Sequence, residues 1–111
     1  VLEDGRPKLA LGAPGGTRII TCVAQTILNY FVHGLSLYDS VNALRIHQQW
    51  KPDLLRIEAP GLDGAVEKEL AQYGWKLEKG PAACAVMAVA RETNGLVGVS
   101  EPRDFGRAIG Q

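Results

Sequence analysis

No run of apolar residues approaches the ~20 that a bilayer-spanning helix needs, and no signal-peptide pattern opens the chain. A membrane span is therefore not expected. An excess of charge of one sign is missing too: Lys and Arg number 12, Asp and Glu number 12, and the formal net charge is zero. Affinity for nucleic acid is built from phosphate neutralisation. With no basic stripe and no interleaved aromatics, a nucleic-acid partner is not expected. Cysteine is scarce, with only Cys22 and Cys84 and no CxxC pair. Two cysteines cannot form a disulfide framework, and free Cys is among the most buried residue types. Both are expected as buried free thiols, which leaves the redox compartment open. His33 and His47 stand 14 positions apart with no cysteine or acidic cluster nearby, so no metal site is expected. Neither a Gly-Lys-Ser/Thr phosphate loop nor a GxGxxG occurs, and no cofactor is expected. Ser36, Ser40 and Ser100 are the only serines, and none sits in a nucleophile elbow.

What remains is an ordinary globular composition. Of 111 residues, 46% are apolar and 22% charged, close to the averages for folded domains. A chain of this length is one domain at most and buries roughly 60–70% of its unfolded surface. It begins inside an apolar stretch without Met, so Val1 reads as an internal position of a longer protein.

Asp4-Gly5 between the apolar runs Val1–Leu2 and Lys8–Leu11 predicts a hairpin. The loop Gly12-Ala13-Pro14-Gly15-Gly16 follows, and then a helix over about Thr17–His33, stopped by Gly34. Its inner stripe is Ile20, Val23, Ile27 and Phe31, widened by Ile19, Cys22, Thr26 and Tyr30. Ser36 with Asp39 reads as a capping box for a short helix whose inner face is Leu37, Val41 and Leu44. Leu54–Glu58 alternates as a strand. A further helix is expected from Gly64 to Tyr73, capped by Asp63, ended by Gly74, with Val66, Leu70 and Tyr73 inward. Glu67, Lys68 and Glu69 read as its solvated face. Trp75–Glu78 is a short strand, Cys84–Arg91 a strand buried on both faces, and Asn94-Gly95 a hairpin turn into Leu96–Ser100. The order β-α-α-β-α-β-β-β predicts an α+β fold with helices on a mixed sheet.

The segment with chemical content is Gly12-Ala13-Pro14-Gly15-Gly16-Thr17-Arg18-Ile19. It carries the chain through tandem glycines into a helix start, where N–H groups have no intrahelical acceptor and the dipole adds positive charge. Glycines let an acyl carbonyl approach the backbone. These are the requirements of an oxyanion hole, although the same geometry suits a phosphate or an ordinary tight turn.

This segment resembles the Gly-Ser-Pro-Gly-Gly-Ser-Arg-Ile signature of gamma-glutamyltranspeptidases. Asn42-Ala43-Leu44-Arg45-Ile46-His47-Gln48-Gln49-Trp50 is similar to that family's Ala-Pro-Arg-Phe-His-His-Gln-Trp, with Leu44 in place of the Pro. Ser100-Glu101-Pro102-Arg103 resembles its Ser-Asp-Pro-Arg, and a final Gly-Gln replaces its Gly-Tyr. The resemblance implies part of an αββα N-terminal-nucleophile hydrolase sandwich, with residues 1–111 forming the C-terminal part of the small subunit. It implies an enzyme that cleaves gamma-glutamyl amides such as glutathione and passes the acyl group to water or amino acids. Gly15 and Gly16 then supply backbone N–H groups to the oxyanion, while Arg45, His47 and Trp50 take structural roles. The nucleophilic Thr and the paired serines would lie upstream, so this chain alone is expected to be inactive. The implied partners are the remainder of the small subunit, the large subunit of the same precursor and a gamma-glutamyl substrate; a homodimer of the fragment could cover its open surface. Family members suggest a periplasmic, secreted or cell-surface setting, and a cytoplasmic one stays open. A related glutaryl or cephalosporin amide acylase, or a non-enzymatic domain on the same scaffold, are the alternatives.

Overall fold

The computed structural model describes residues 1–104 and 106–110. Gln111, read above as the family's replaced terminal residue, lies outside the described residues. The chain is α+β and divides into two compact units. One comprises Val1–Ala43 and Cys84–Gln111, the other Leu44–Ala83.

In the first unit, β1 (Leu2–Glu3) and β2 (Arg6–Pro7) form a hairpin about the expected Asp4-Gly5 turn, with Glu3 opposite Arg6; its second arm is Arg6–Pro7 and not the expected Lys8–Leu11. Asp4 and Gly5 turn it at φ +50° and +74°, as the two-residue turns of twisted hairpins require. Strand β3 (Leu9–Gly12) then pairs antiparallel with β7 (Met87–Glu92), which pairs antiparallel with β8 (Gly95–Ser100). Glu92 faces Gly95, so the connecting residues are Thr93 and Asn94, one position earlier than the Asn-Gly reading.

Alternation along this sheet decides which face is dry. Leu9, Ala88, Ala90 and Val99 point inward to a core completed by Cys22, Leu37, Val41, Cys84 and Val86. The helices α1 (Ile19–Phe31) and α2 (Leu37–Asn42) belong to this unit. Met87 and Val89 on the opposite face are each 45% exposed, which corrects the expectation of a strand buried on both sides. Only Cys84, Ala85 and Val86, which precede the strand, are continuously buried.

Helix α1 is rotated from the expected stripe. Cys22 and Thr26 are its buried residues, and Ile27 and Tyr30 pack against the core. Ile20 is 78% exposed and Phe31 is exposed as well. The stripe is apolar for much of the circumference, so hydrophobicity alone does not say which part faces the sheet. Thr26 is tolerated inside because its hydroxyl donates to the Cys22 carbonyl at 3.0 Å. Gly34 ends the helix region at φ +66°. Ser36 caps α2 as read, with Asp39 N–H donating to Ser36 Oγ at 3.0 Å, but the reciprocal half of the capping box differs: the Asp39 carboxylate accepts from the Ser36 hydroxyl at 2.6 Å and not from its backbone N–H. Its third inward residue is Ser40 rather than Leu44.

Cys22 and Cys84 are joined in a disulfide across a sequence separation of 62, which corrects the free-thiol reading. Each cysteine is buried in this core, and proximity in the fold rather than spacing in the chain pairs them.

The second unit carries β4 (Ile46–Gln49), β5 (Leu54–Glu58), α3 (Gly64–Gln72) and β6 (Leu77–Gly80). The β4–β5 pair is antiparallel and the β5–β6 pair parallel, which makes this the mixed sheet, with α3 as the crossover that a parallel pair needs. Asp63 caps α3 by accepting from Ala65 N–H at 2.8 Å. No residue of α3 is buried, and Val66 and Tyr73 are exposed, against the expected inner face. Inside the sheet, Arg45 and Glu58 are both buried and joined at 3.2 Å. Glu58 Oε2 also accepts from the Arg45 backbone N–H.

Two stability outcomes are expected. A Cys22→Ala/Cys84→Ala pair should lower the unfolding free energy of the chain by on the order of 4 kcal/mol, the loop-closure value for a bridge of this span, read as a shift of the urea midpoint. Glu58→Gln should cost about 3 kcal/mol, because the buried Arg45 guanidinium loses its counter-charge; thermal unfolding checks it.

Candidate oxyanion site

The chain leaves β3 at Gly12, whose partner is Met87. Two residues later the Pro14 carbonyl accepts Ala85 N–H at 3.3 Å. Past that anchor the backbone enters a conformation that side chains disfavour: Gly15 has φ +148° and Gly16 φ +59°. Such angles come at no steric cost for glycine alone. A 3₁₀ turn, Gly16–Arg18, then leads into α1 at Ile19, with Arg18 N–H donating to the Gly15 carbonyl at 3.2 Å. The helix proper thus starts two residues later than expected, and the tandem glycines feed the tight turn at its head.

Among the described residues, no hydrogen-bond acceptor is found for the N–H of Gly15 or Gly16. Gly16 is exposed, and an added Cβ there would meet nothing within 4 Å. Gly15 beside it is partly buried. The two adjacent N–H groups at the head of the helix can donate to an anionic oxygen that reaches them. The dipole of α1 adds to the attraction within its first turn.

A strap of three residues backs the loop. Cys84 is bridged to Cys22 on α1, Ala85 holds Pro14, and Val86 N–H donates to Glu101 Oε2 at 3.3 Å. Glu101 is fully buried. It is paired with Arg103 Nε at 2.5 Å, and Arg103 Nη2 donates to the Val41 carbonyl at 3.1 Å. This support was missed in the sequence as a physical arrangement; the only signal for it is the similarity of Ser100-Glu101-Pro102-Arg103 to an acidic family motif.

The other residues singled out take structural or surface positions. His33 is exposed at the end of α1, and His47 is buried with Nε2 at 2.9 Å from Gln49 Oε1. Arg45 sits in the pair with Glu58. Trp50 is 81% exposed, with the Lys51 ammonium 4.6 Å from its ring centre. Glu67 is not a solvated bystander: it accepts from Leu62 N–H at 3.0 Å and pairs with Lys79 at 2.7 Å. Burial first, and then the Glu92 carboxylate, push the Tyr30 hydroxyl above its ordinary value, so it stays protonated at neutral pH. Among the described residues, no group of three or more His, Cys, Asp or Glu could hold a metal ion, and no helix is long and apolar enough to cross a membrane.

The glutathione hydrolase proenzyme of Pseudomonas sp. strain A14 is 37% identical over 111 residues, covering 100% of this chain and 18% of that protein. The Escherichia coli K12 glutathione hydrolase proenzyme is 38% identical over 104 residues, covering 93% of this chain and again 18% of the relative. This chain therefore spans less than a fifth of the length of these relatives. A crystal structure of the Helicobacter pylori gamma-glutamyltranspeptidase T380A mutant superposes with a TM-score of 0.87 at 37% identity, covering 94% of this chain and 58% of that one. The fold is accordingly that of part of an N-terminal-nucleophile hydrolase. The match to the gamma-glutamyltranspeptidase family runs along residues 1–111, and the chain belongs to that family.

Proposed function

We propose that this chain is the C-terminal portion of the small subunit of an enzyme that cleaves gamma-glutamyl amides such as glutathione and passes the acyl group to water or to an amino acid. Its contribution is the oxyanion loop. One observation carries this reading: in a member of this family, Gly15 and Gly16 hold positive φ and offer two uncommitted N–H groups at the head of a helix. Attack on the amide carbonyl turns its oxygen into an alkoxide. Donors already aimed at that position stabilise the charge without reorganising at the moment of reaction.

The nucleophile comes, in this reading, from another part of the same precursor. Both cysteines here are bridged. The Thr21 and Thr26 hydroxyls donate to helix carbonyls of Arg18 and Cys22, and the Ser36 hydroxyl caps α2. A hydroxyl occupied in this way is not poised beside a general base. The open sheet face carrying Met87 and Val89 would be covered by the remainder of the small subunit or by the large subunit, since exposed apolar patches mark missing partners.

The loop is tested in the full-length protein with two substitutions. Gly16→Ala disfavours φ +59° by roughly 1–2 kcal/mol and should re-aim the N–H, cutting kcat on the order of 10²–10³, or about 3–4 kcal/mol. Gly16→Asn tolerates a left-handed backbone better and should retain more of kcat, with any steric exclusion of substrate showing in KM. Wild-type kcat in both variants would end the oxyanion assignment.

The chain on its own should bind a hydrophobic dye and should not turn over a chromogenic gamma-glutamyl anilide. Turnover clearly above buffer would place a nucleophile within these 111 residues and refute the division of labour.

A further inference from the structure

We propose that the Cys22–Cys84 disulfide is a positioning clamp on the Gly15–Gly16 loop, so that its reduction lowers kcat while the protein stays folded. The proposal rests on the oxyanion reading above.

The argument is one of ring closure. From Pro14 the chain runs through Gly15, Gly16 and the 3₁₀ turn to Cys22, a stretch of nine residues that contains both donors. The disulfide carries the path from Cys22 to Cys84. The next residue, Ala85, returns it to the start by donating its N–H to the Pro14 carbonyl at 3.3 Å. The loop is thus a small closed ring with one covalent staple and one hydrogen bond at the long end of the usual range.

Within the loop itself the Arg18 N–H donates to the Gly15 carbonyl at 3.2 Å, a bond that does not reach the strap. Strand pairing ends at Gly12 opposite Met87. Gly15 and Gly16 have no side chains to wedge them in place, and an added Cβ at Gly16 would find no neighbour. Both sulfurs are buried in the core, and the far side of the strap is held by Glu101 through Val86. The bridge therefore joins a fixed strap to the first turns of the helix that aims the donors. Opening it leaves the long Pro14–Ala85 bond as the tie between strap and loop entry. A misplacement of about 1 Å in a catalytic constellation costs on the order of 10²-fold in rate.

Reduction balances simply. A small dithiol such as dithiothreitol supplies two electrons and two protons, the sulfur–sulfur bond breaks to two thiols, and the reductant closes to its own cyclic disulfide.

The test uses the full-length protein in four forms: wild type, wild type after dithiothreitol, Cys22→Ala/Cys84→Ala, and that pair combined with Gly16→Ala. Thiol titration confirms the redox state, circular dichroism the fold, and kcat and KM are measured with a gamma-glutamyl anilide well below each form's Tm. Reduced wild type and the double variant should lose roughly tenfold to a hundredfold in kcat with KM nearly constant. Reoxidation should restore the wild type, and dithiothreitol should leave the double variant unchanged. The combined variant should lose less than the product of the separate losses, because both changes displace the same donors. Unchanged kcat after reduction, in a protein where Gly16→Ala is impaired, overturns the clamp and leaves the oxyanion role standing. Free thiols in the untreated protein overturn it directly. If reduction abolishes secondary structure, the bridge is a fold staple and the positioning role is wrong. Wild-type kcat in the Gly16 variants removes the oxyanion reading, and the clamp falls with it.

Discussion

Ala88 and Ala90 on the middle strand of the antiparallel sheet govern how this fold packs. That strand pairs with β3 on one side and β8 on the other, so its inward side chains form the floor of the first unit. Both are alanines and both are buried. They share one buried cluster with Cys22, Leu37 and Val41, and α2 packs against this strand. Protein interiors reach crystal-like density, so that cluster would have to absorb any enlargement of either alanine. The bridge between Cys22 and Cys84, and with it the position of the helix that carries the glycine loop, depends on that packing.

The polar groups inside the structure follow a second constraint. A buried charge must find a partner, because its desolvation costs several kcal/mol. Glu101 meets this by accepting from Val86 N–H and pairing with Arg103, which in turn reaches the Val41 carbonyl. A segment near the end of the chain thereby holds both the strap behind the loop and the short helix α2. Arg45 and Glu58 do the same within the second unit, joining the start of β4 to the end of β5. The Arg45–Glu58 pair also bears on register, because Ile46 lies opposite Ile57 and a slip of one residue between β4 and β5 would part the two charges.

The proposed oxyanion role draws on backbone alone: the donors it invokes are the main-chain N–H groups of Gly15 and Gly16, for which no acceptor is found among the described residues. Glycine permits the angles, Pro14 fixes the entry through its carbonyl bond to Ala85 N–H, and the helix behind supplies a dipole. A site of this type has no titrating side chain of its own.

Features set by neighbours along the chain were legible in the sequence. The Asp4-Gly5 hairpin, the Ser36 and Asp63 caps, the strand Leu54–Glu58 and the glycine turn into a helix all depend on local geometry and on hydrogen bonds a few residues apart. The motif Gly12-Ala13-Pro14-Gly15-Gly16-Thr17-Arg18-Ile19 likewise indicated the family, because its chemistry is contiguous. What the sequence left open was orientation and partnership. The apolar stripe of α1 is wide enough to face the core in several rotations, and only its packing against α2 and β3 selects Cys22 and Thr26 over Ile20 and Phe31. The strand Met87–Glu92 reads as apolar on both sides, yet one face is open among the described residues, since burial needs a second layer and alternation cannot supply one. The Cys22–Cys84 bridge and the Glu101 support join residues far apart in the chain. Their pairing is a property of proximity, which tertiary packing alone creates.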